Sequence, residues 1–262
     1  MPTDPDTDAA LDLISKRIDF LEFLDGDPKP KREIADELGY SRSTVNRTIT
    51  ELSDAGLVAD DPGGCQTTFV GSVLADQYHE YVEIASSVLA NREVLATLSL
   101  DSDIPPIVLK DANVRTPRDS SPYGPYHAIE GVLERSVDEV QVYVPTFTNP
   151  RGIELARTLA KRLDIEIVFG DALIGELRSD IPNQVEMLSK QTNFTGYRTS
   201  NGPKYSLILT GTESGMEGAV VIHSEERELV GCIVTDNSAA TEWMEQRYAE
   251  IRADSEPLYG SF

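Results

Sequence analysis

The sequence predicts a mixed α/β fold (α+β overall), with a helical N-terminal part and a C-terminal part of alternating strands and helices. Two observations carry this prediction. Apolar residues recur with helical spacing between residues 11 and 55, and a short pair of strands follows them. Beyond residue 105, strand patterns are separated by helical patterns, which is typical of βαβ units with a parallel sheet. The last four strands have short connections, which indicates an antiparallel extension of that sheet.

These patterns divide the chain into four segments. We expect an acidic tail over residues 1–8, a helical domain with a hairpin over 9–71, a linker or dimerisation helix over 72–104 and an α/β domain over 105–262. In the last segment strands are predicted at Ile107–Lys110, Val140–Val144, Ile165–Phe169, Thr195–Thr199, Tyr205–Thr210, Ala219–His223 and Leu229–Thr235. Helices are predicted at Pro125–Arg135, Gly152–Leu163, Ala172–Lys190 and Ser238–Arg252.

The composition is strongly acidic, with 45 Asp and Glu against 23 Lys and Arg and a net charge of −22. Such a surface repels itself in dilute buffer, whereas molar salt shortens the Debye length to about 3 Å. We therefore expect a halophilic, archaeal protein; an acidic protein from a low-salt organism or a cation-binding protein is the alternative. Apolar runs are too short to span a bilayer and the N-terminus lacks the features of a secretory signal, so we expect a cytoplasmic protein.

Residues suited to catalysis or metal binding are sparse. Cys65 and Cys232 lie far apart in the sequence, which excludes a disulfide framework or a CxxC pair. The histidines at 79, 127 and 223 are scattered, and HExxH, GxSxG, Walker A and GxGxxG patterns are absent. We therefore expect no catalytic residues, no metal and no cofactor, and a structural role for His79 and His223.

The first 70 residues follow the layout of a winged helix-turn-helix. A helix ends at the Asp25–Pro28 turn, a second helix spans Lys31–Leu38 and ends at Gly39, and a third runs from about Ser43 to Ala55. Ser41 or Ser43 is suited to cap the third helix, and a hairpin follows Gly56. In this layout the third helix enters the major groove of DNA.

The third helix separates an apolar stripe from a polar face. Val45, Ile49 and Leu52 form the stripe, and the opposite face carries side chains that suit base edges and phosphates. The segment 29–50 contains five basic and three acidic residues, which gives it a local charge of +2 in a chain whose net charge is −22. We predict these contacts to DNA: Lys31, Arg32, Arg42, Ser43, Thr44, Asn46, Arg47 and Thr50. The alternative is a three-helix domain that contacts proteins.

The hairpin tip has the acidic sequence Asp60-Asp61-Pro62-Gly63-Gly64. Phosphates repel such a tip, so we expect base reading by the third helix alone.

Two regions resemble known families. Lys31–Val58, which ends in Glu51-Leu52-Ser53-Asp54-Ala55-Gly56-Leu57-Val58, resembles the helix-turn-helix of archaeal winged-helix transcription regulators of the ArsR-like and TrmB-like groups. The segments Arg115-Thr116-Pro117, Pro122–Pro125 and Trp243–Tyr248 are similar to the effector region of a haloarchaeal family related to methanogen filament-regulator proteins. TrmB-like effector domains resemble phospholipase D folds, whose reactive histidine stands in HxK. Here His223-Ser224-Glu225 lacks the lysine, so the resemblance implies the fold without its catalytic motif.

The expected function is a sequence-specific DNA-binding transcription regulator, a homodimer whose C-terminal domain senses a small molecule or a partner. A protein-interaction adaptor and a hydrolase fused to a DNA-targeting module are the alternatives. The long helix is the expected dimer seam, through Tyr78, Tyr81, Ala85, Val88 and Leu95. Strand exits and the loop before residue 127 predict a ligand pocket formed by Arg115, Tyr123, Tyr126, Thr146, Phe147, Asp171, Tyr197 and Tyr205.

Overall fold

The computed structural model describes residues 5–100, 102–117, 121–146, 152–224 and 226–258. The chain forms two compact units, Met1–Ala85 and Ser86–Phe262. The segment 72–104, predicted as a linker helix, is divided between them.

Unit 1 has the element order predicted for the N-terminal domain. Its elements are α1 (Pro5–Phe23), α2 (Lys31–Leu38), α3 (Arg42–Asp54), β1 (Val58–Asp61), β2 (Gly64–Thr67) and the start of α4 (Phe69–Ala90). The strands β1 and β2 pair antiparallel, and Lys29 adds a bridge to Cys65 through two backbone hydrogen bonds of 2.8 and 2.9 Å. A small core holds these elements together, and its fully buried members include Ile14, Phe20, Leu24, Ile34, Val45, Ile49 and Leu52.

Two short-range features fix the turn between α2 and α3. Gly39 has φ of 71°, a left-handed conformation that ends α2 at little cost because glycine has no Cβ. Ser41 caps α3, since its side chain accepts a hydrogen bond from Thr44 N at 3.2 Å. Both features agree with the sequence-based prediction.

The helix α4 passes from one unit into the other. Its first turns pack tightly on unit 1, because the Cα of Gly71 lies so near the backbone that a Cβ there would stand 2.2 Å from Leu57 O. The single helix predicted within residues 72–104 is corrected in two ways: it begins at Phe69 and ends at Ala90, and a short α5 (Arg92–Leu95) follows.

Unit 2 is a three-layer α/β structure around an eight-stranded mixed sheet. Its remaining elements are β3 (Asn113–Arg115), α6 (Gly124–Glu134), β4 (Glu139–Val144), α7 (Gly152–Leu159), β5 (Asp164–Gly170), α8 (Asp171–Asp180), α9 (Pro182–Ser189), β6 (Phe194–Thr199), β7 (Ser206–Thr212), β8 (Gly215–His223), β9 (Leu229–Thr235), α10 (Ser238–Ala253) and β10 (Glu256–Pro257). The strand order is β10-β6-β5-β4-β7-β8-β9-β3. The mixed α/β class predicted from the sequence is confirmed.

Each face of the sheet is covered by its own apolar cluster. Helices α6 to α9 cover one face, where Ile167, Ile208 and Val221 lie, and α5 with α10 covers the other, where Val168 and Leu207 lie. The alternation follows from the two-residue period of a strand, which sends successive side chains to opposite faces.

Three predicted elements of unit 2 are corrected. Ile107–Lys110 is not a strand, because Pro105 and Pro106 begin a short 3₁₀ turn, Pro106–Leu109, and the edge strand β3 comes later. The helix predicted over 172–190 is two helices, divided before Pro182. The strand β6 extends the parallel part of the sheet beside β5, so the antiparallel extension comprises β7, β8, β9 and β3.

Among the helices of the described ranges, none combines the length and the apolar character that crossing a lipid bilayer requires.

Candidate nucleic-acid interface

The helix α3 presents a polar face on the side opposite its buried stripe. Val45, Ile49 and Leu52 are fully buried. Arg42, Ser43, Asn46, Arg47 and Thr50 are exposed, and their positions fall within one sector of about 140° at 100° per residue. The structure therefore brings these five predicted residues onto one surface.

Hydroxyl groups at the start of α3 are largely used by the helix itself. Ser41 Oγ lies 2.8 Å from Ser43 Oγ and 2.9 Å from Thr44 Oγ1. Thr44 is half-buried and takes part in this cap, and Thr50 Oγ1 donates to Asn46 O at 3.0 Å. These hydroxyls are thus bonded within the helix or its cap, and Arg42, Asn46 and Arg47 remain as the groups with free donors for base edges.

The arginines on this surface differ in their ionic partners. Arg42 forms no ion pair with any residue that the structure describes. Arg47 Nε lies 3.3 Å from Glu51 Oε1, and Arg32 Nε lies 3.7 Å from Asp36 Oδ2. Exposed pairs of this kind contribute about 0.2–1 kcal/mol, so a phosphate competes with them readily.

Lys31 connects α2 to the acidic hairpin tip. Its Nζ lies 2.5 Å from Asp60 Oδ2, and this hydrogen bond lowers the pKa of the Asp60 carboxyl. One of the two tip carboxylates is therefore neutralised locally, while Asp61 stays exposed. Lys31 is less free to meet a phosphate than the sequence alone indicated, and the tip is less repulsive.

The predicted dimer residues have different surroundings. Tyr78 packs on the core of unit 1, and Val88 and Leu95 pack on the core of unit 2. All three are half-buried, so part of the apolar surface that was predicted to face a partner lies against their own chain. Ala85 is half-buried, and Tyr81 is 68% exposed.

Besides Tyr81, five large apolar residues of α4 are exposed, and the sequence analysis missed them: Phe69, Val70, Val73, Val82 and Leu89. Phe69, Val70 and Val73 are 84%, 54% and 42% exposed, and they precede Tyr81 on one side of the helix. Phe69 and Val73 are spaced i, i+4 and Val70 and Val73 i, i+3, as on one side of a helix, but the helix predicted from the sequence begins only at residue 72.

The predicted ligand residues are dispersed over unit 2. Arg115 and Tyr123 are exposed, as is Asp171 at the start of α8. Tyr197 and Tyr205 pack in the cluster on the α10 side of the sheet, where Tyr205 Oη donates to Asp103 Oδ1 at 2.6 Å.

Tyr126 and Thr146 line one cavity on the opposite side, and Phe147 lies outside the described residues. The prediction of a single aromatic pocket formed by all eight residues is therefore wrong.

The cavity that Tyr126 and Thr146 share includes two polar residues that sequence reasoning missed. Ser206 and His223 line it, with Ser206 Oγ 2.9 Å from His223 Nε2. Burial lowers the pKa of His223 to about 4, so the ring is neutral at neutral pH. The two-residue period of a strand could have indicated this location, because it places Ser206 on the same face of the sheet as Ile208, and His223 on the same face as Val221. Among the described residues no cluster of side chains is arranged to hold a metal ion.

The fold has distant likenesses among solved structures. TrmBL2, described as an archaeal chromatin protein with a novel mode of DNA binding, is 12% identical; the match covers 95% of this chain and 98% of that chain with a TM-score of 0.44. Nuc from Salmonella typhimurium, a phospholipase D family member, is 12% identical over 57% of this chain and 99% of its own, with a TM-score of 0.43. NucT from Helicobacter pylori is 11% identical over 56% of this chain and 98% of its own, with a TM-score of 0.42. These likenesses carry no activity to this chain.

Sequence families give a firmer assignment. No curated protein matches the chain as a relative. Residues 6–88 match the HVO_A0261 N-terminal domain. Residues 122–254, just over half of the chain, match the middle domain of the methanogenesis regulatory protein FilR1. The chain therefore belongs to the family defined by the FilR1 middle domain.

Proposed function

We propose that the protein is a cytoplasmic, sequence-specific DNA-binding transcription regulator that acts as a homodimer, with a winged helix-turn-helix in unit 1 and an effector-sensing domain in unit 2. The observation that carries the proposal is the face of α3, where Arg42, Asn46 and Arg47 are exposed opposite a fully buried stripe. Membership of a family named for a regulatory protein supports it.

The chemistry of this face suits the major groove. Arginine pairs bidentately with guanine O6 and N7, and asparagine pairs with adenine N6 and N7. Arg42 has no competing ion pair among the described residues, and Arg47 has one exposed and therefore weak partner, Glu51. Both guanidinium groups are available to a base or a phosphate at small cost.

A homodimer follows from the limited reach of one helix. One recognition helix reads few base pairs, and two-fold symmetry doubles both the contact and the specificity. Four exposed apolar side chains share one side of α4 and are the surface that we assign to the second copy: Phe69, Val70, Val73 and Tyr81. Isolated apolar groups on a surface are ordinary, but a group at helical spacing indicates an interface.

The DNA proposal is tested with the full chain in concentrated KCl, because the acidic surface is expected to need salt for folding. Duplexes are selected from a random library, and binding of the selected duplex is followed by fluorescence anisotropy. Each of the changes Arg42→Ala and Arg47→Ala is expected to weaken binding by about 1–3 kcal/mol, roughly 5-fold to 150-fold, if the side chain reads a base. Arg178→Ala, an exposed arginine of α8, is the matched control and is expected to bind like the wild type.

Three results contradict the DNA proposal. They are a folded wild type with no sequence preference, an unchanged affinity in both α3 variants, and an equal loss in the Arg178→Ala control. Circular dichroism of each variant separates lost binding from lost folding.

The dimer proposal has a separate test. Phe69→Glu and Tyr81→Glu place charges in the assigned surface and are expected to convert the dimer to a monomer, as measured by light scattering after size exclusion. Ser86→Glu places the same charge at an exposed position on the opposite side of α4 and serves as the control. A monomeric wild type, or dimeric glutamate variants, would refute the assigned interface.

A further inference from the structure

The face of the sheet that α6 to α9 cover carries a partly open cavity of about 130 Å³. Its walls are almost entirely aliphatic, with Ile129 from α6, Ile153 from α7, Ile167 from β5 and Ile208 from β7 among them. No charged side chain lines it among the described residues. A water molecule is poorly stabilised in the aliphatic part of this cavity, because a buried water needs hydrogen bonds to two or more polar groups.

One end of the cavity is polar. The strand register places the C-terminal end of β4, the N-terminal end of β7 and the C-terminal end of β8 side by side, since Tyr143 pairs with Leu207 and Ser206 pairs with Val221. Thr146 follows β4, Ser206 begins β7 and His223 ends β8, so their side chains reach the cavity from three adjacent strands.

Two polar atoms at that end have no hydrogen-bond partner among the described residues. They are Thr146 Oγ1, on a side chain only 9% exposed, and His223 Nδ1. Buried polar groups in folded proteins are nearly always paired, and an unpaired one is destabilising. The other ring nitrogen, His223 Nε2, is already bonded to Ser206, which holds the ring in place.

The electrostatics of this end select an uncharged ligand. Burial holds the pKa of His223 near 4, so the imidazole carries no positive charge at neutral pH. A carboxylate at this end would therefore be buried without a cation from the described lining, which is strongly unfavourable. A hydroxyl group both donates and accepts, and it satisfies Thr146 Oγ1 and His223 Nδ1 whichever tautomer the ring adopts.

The volume limits the size of the ligand. An apolar cavity of about 150 Å³ in another protein is known to hold benzene. A cavity of about 130 Å³ is therefore suited to one six-membered ring or a short branched chain.

We propose that this cavity is the effector site of unit 2 and that it binds a small uncharged alcohol or carbonyl compound, with an apolar body of about six carbon atoms in the aliphatic part and its oxygen between Thr146 and His223. The effector role rests on the proposed function, whereas binding does not. A ligand alters DNA binding only if it prefers one conformation of the protein over another.

Binding is tested on the full chain in concentrated KCl by ligand-observed NMR and calorimetry. The probes are benzyl alcohol, toluene as its analogue without the oxygen, and benzoate as its charged analogue. We expect benzyl alcohol to bind about tenfold more tightly than toluene, and benzoate not to bind. Thr146→Val is expected to remove that tenfold preference and to leave toluene unaffected, while Thr195→Val, an exposed threonine of β6, changes neither.

Two cavity variants test the location. Ala156→Phe fills the space from α7 and is expected to abolish binding of both neutral probes. Ile208→Ala enlarges the cavity and is expected to admit 2-naphthalenemethanol, which the wild type excludes. If Ala156→Phe does not fold, Ile208→Ala alone tests whether the probes bind in this cavity. The proposal is overturned if the folded wild type binds none of the neutral probes, if benzoate binds more tightly than benzyl alcohol, or if the cavity variants keep the wild-type preferences.

The regulatory role is measured separately, as the affinity for the selected duplex with and without saturating benzyl alcohol. Binding of the probe without any change in DNA affinity leaves the cavity as a ligand site and refutes its role as the effector site. Absence of DNA binding altogether refutes the proposed function and leaves the binding result as it stands.

Discussion

His223 makes the stability of the protein depend on pH, and the change His223→Gln removes that dependence. In the folded chain burial lowers the pKa of the ring from 6.5 to about 4. The unfolded chain therefore takes up a proton near pH 6.5, whereas the folded chain resists protonation until the pH falls to about 4. The stability contributed by the neutral ring is complete above pH 6.5 and is lost as the pH falls through this window.

The size of the effect follows from the two pKa values. Each pKa unit of difference corresponds to about 1.36 kcal/mol, and integration from about pH 7.5 to about pH 4.5 gives a loss of about 2.5 kcal/mol. This is an upper bound, because the ring is only partly enclosed. Glutamine keeps a donor and an acceptor for Ser206 and does not titrate.

The measurement is urea unfolding at the two pH values in the same concentrated KCl, for the wild type and His223→Gln. The acidic side chains titrate in both proteins, so the difference between them isolates His223. We expect the wild type to lose about 2 kcal/mol more than the variant on acidification, and a surface control, His127→Gln, to behave as the wild type. Equal losses in wild type and His223→Gln would show that the ring is not buried as described.

Two further substitutions test the packing of unit 1. Gly71→Ala is expected to destabilise the protein by about 1–3 kcal/mol in urea unfolding, because the new Cβ would stand 2.2 Å from Leu57 O, whereas the matched change Gly175→Ala, with nothing within 4 Å, is expected to be neutral or stabilising by about 0.5–1 kcal/mol. A neutral Gly71→Ala would contradict the close approach of α4. Ser41→Ala is expected to cost about 1 kcal/mol by removing the cap on Thr44 N, and an unchanged unfolding midpoint would show that the cap contributes nothing.

The helical half of the candidate site was predictable because its determinants are local. The Ser41 cap, the Gly39 stop and the stripe of Val45, Ile49 and Leu52 each involve residues within a few positions of one another. Backbone preference and side-chain periodicity act over that range, so the face of α3 could be derived without any tertiary information.

The pairing of charges around that face was not predictable in the same way. Lys31 donates a hydrogen bond to Asp60, which lies 29 positions later in the sequence. The sequence alone gave no sign of this pair, so both side chains were treated as unpaired charges. The exposed surface of α4 was missed because Phe69 and Val70 follow a strand directly, and strand and helix patterns cannot be separated over so few residues.

The sequence by itself determined the class of the fold, the order of its elements in unit 1 and the exposed polar face of α3, since local propensity and periodicity decide these. Only the tertiary structure decided which strands lie side by side, and with them the cavity in which Thr146, Ser206 and His223 meet. Thr146 follows β4, whereas Ser206 and His223 lie on the hairpin β7–β8 much later in the chain. Their juxtaposition with Thr146 depends on the pairing of β4 with β7, which long-range packing selects and no local pattern encodes.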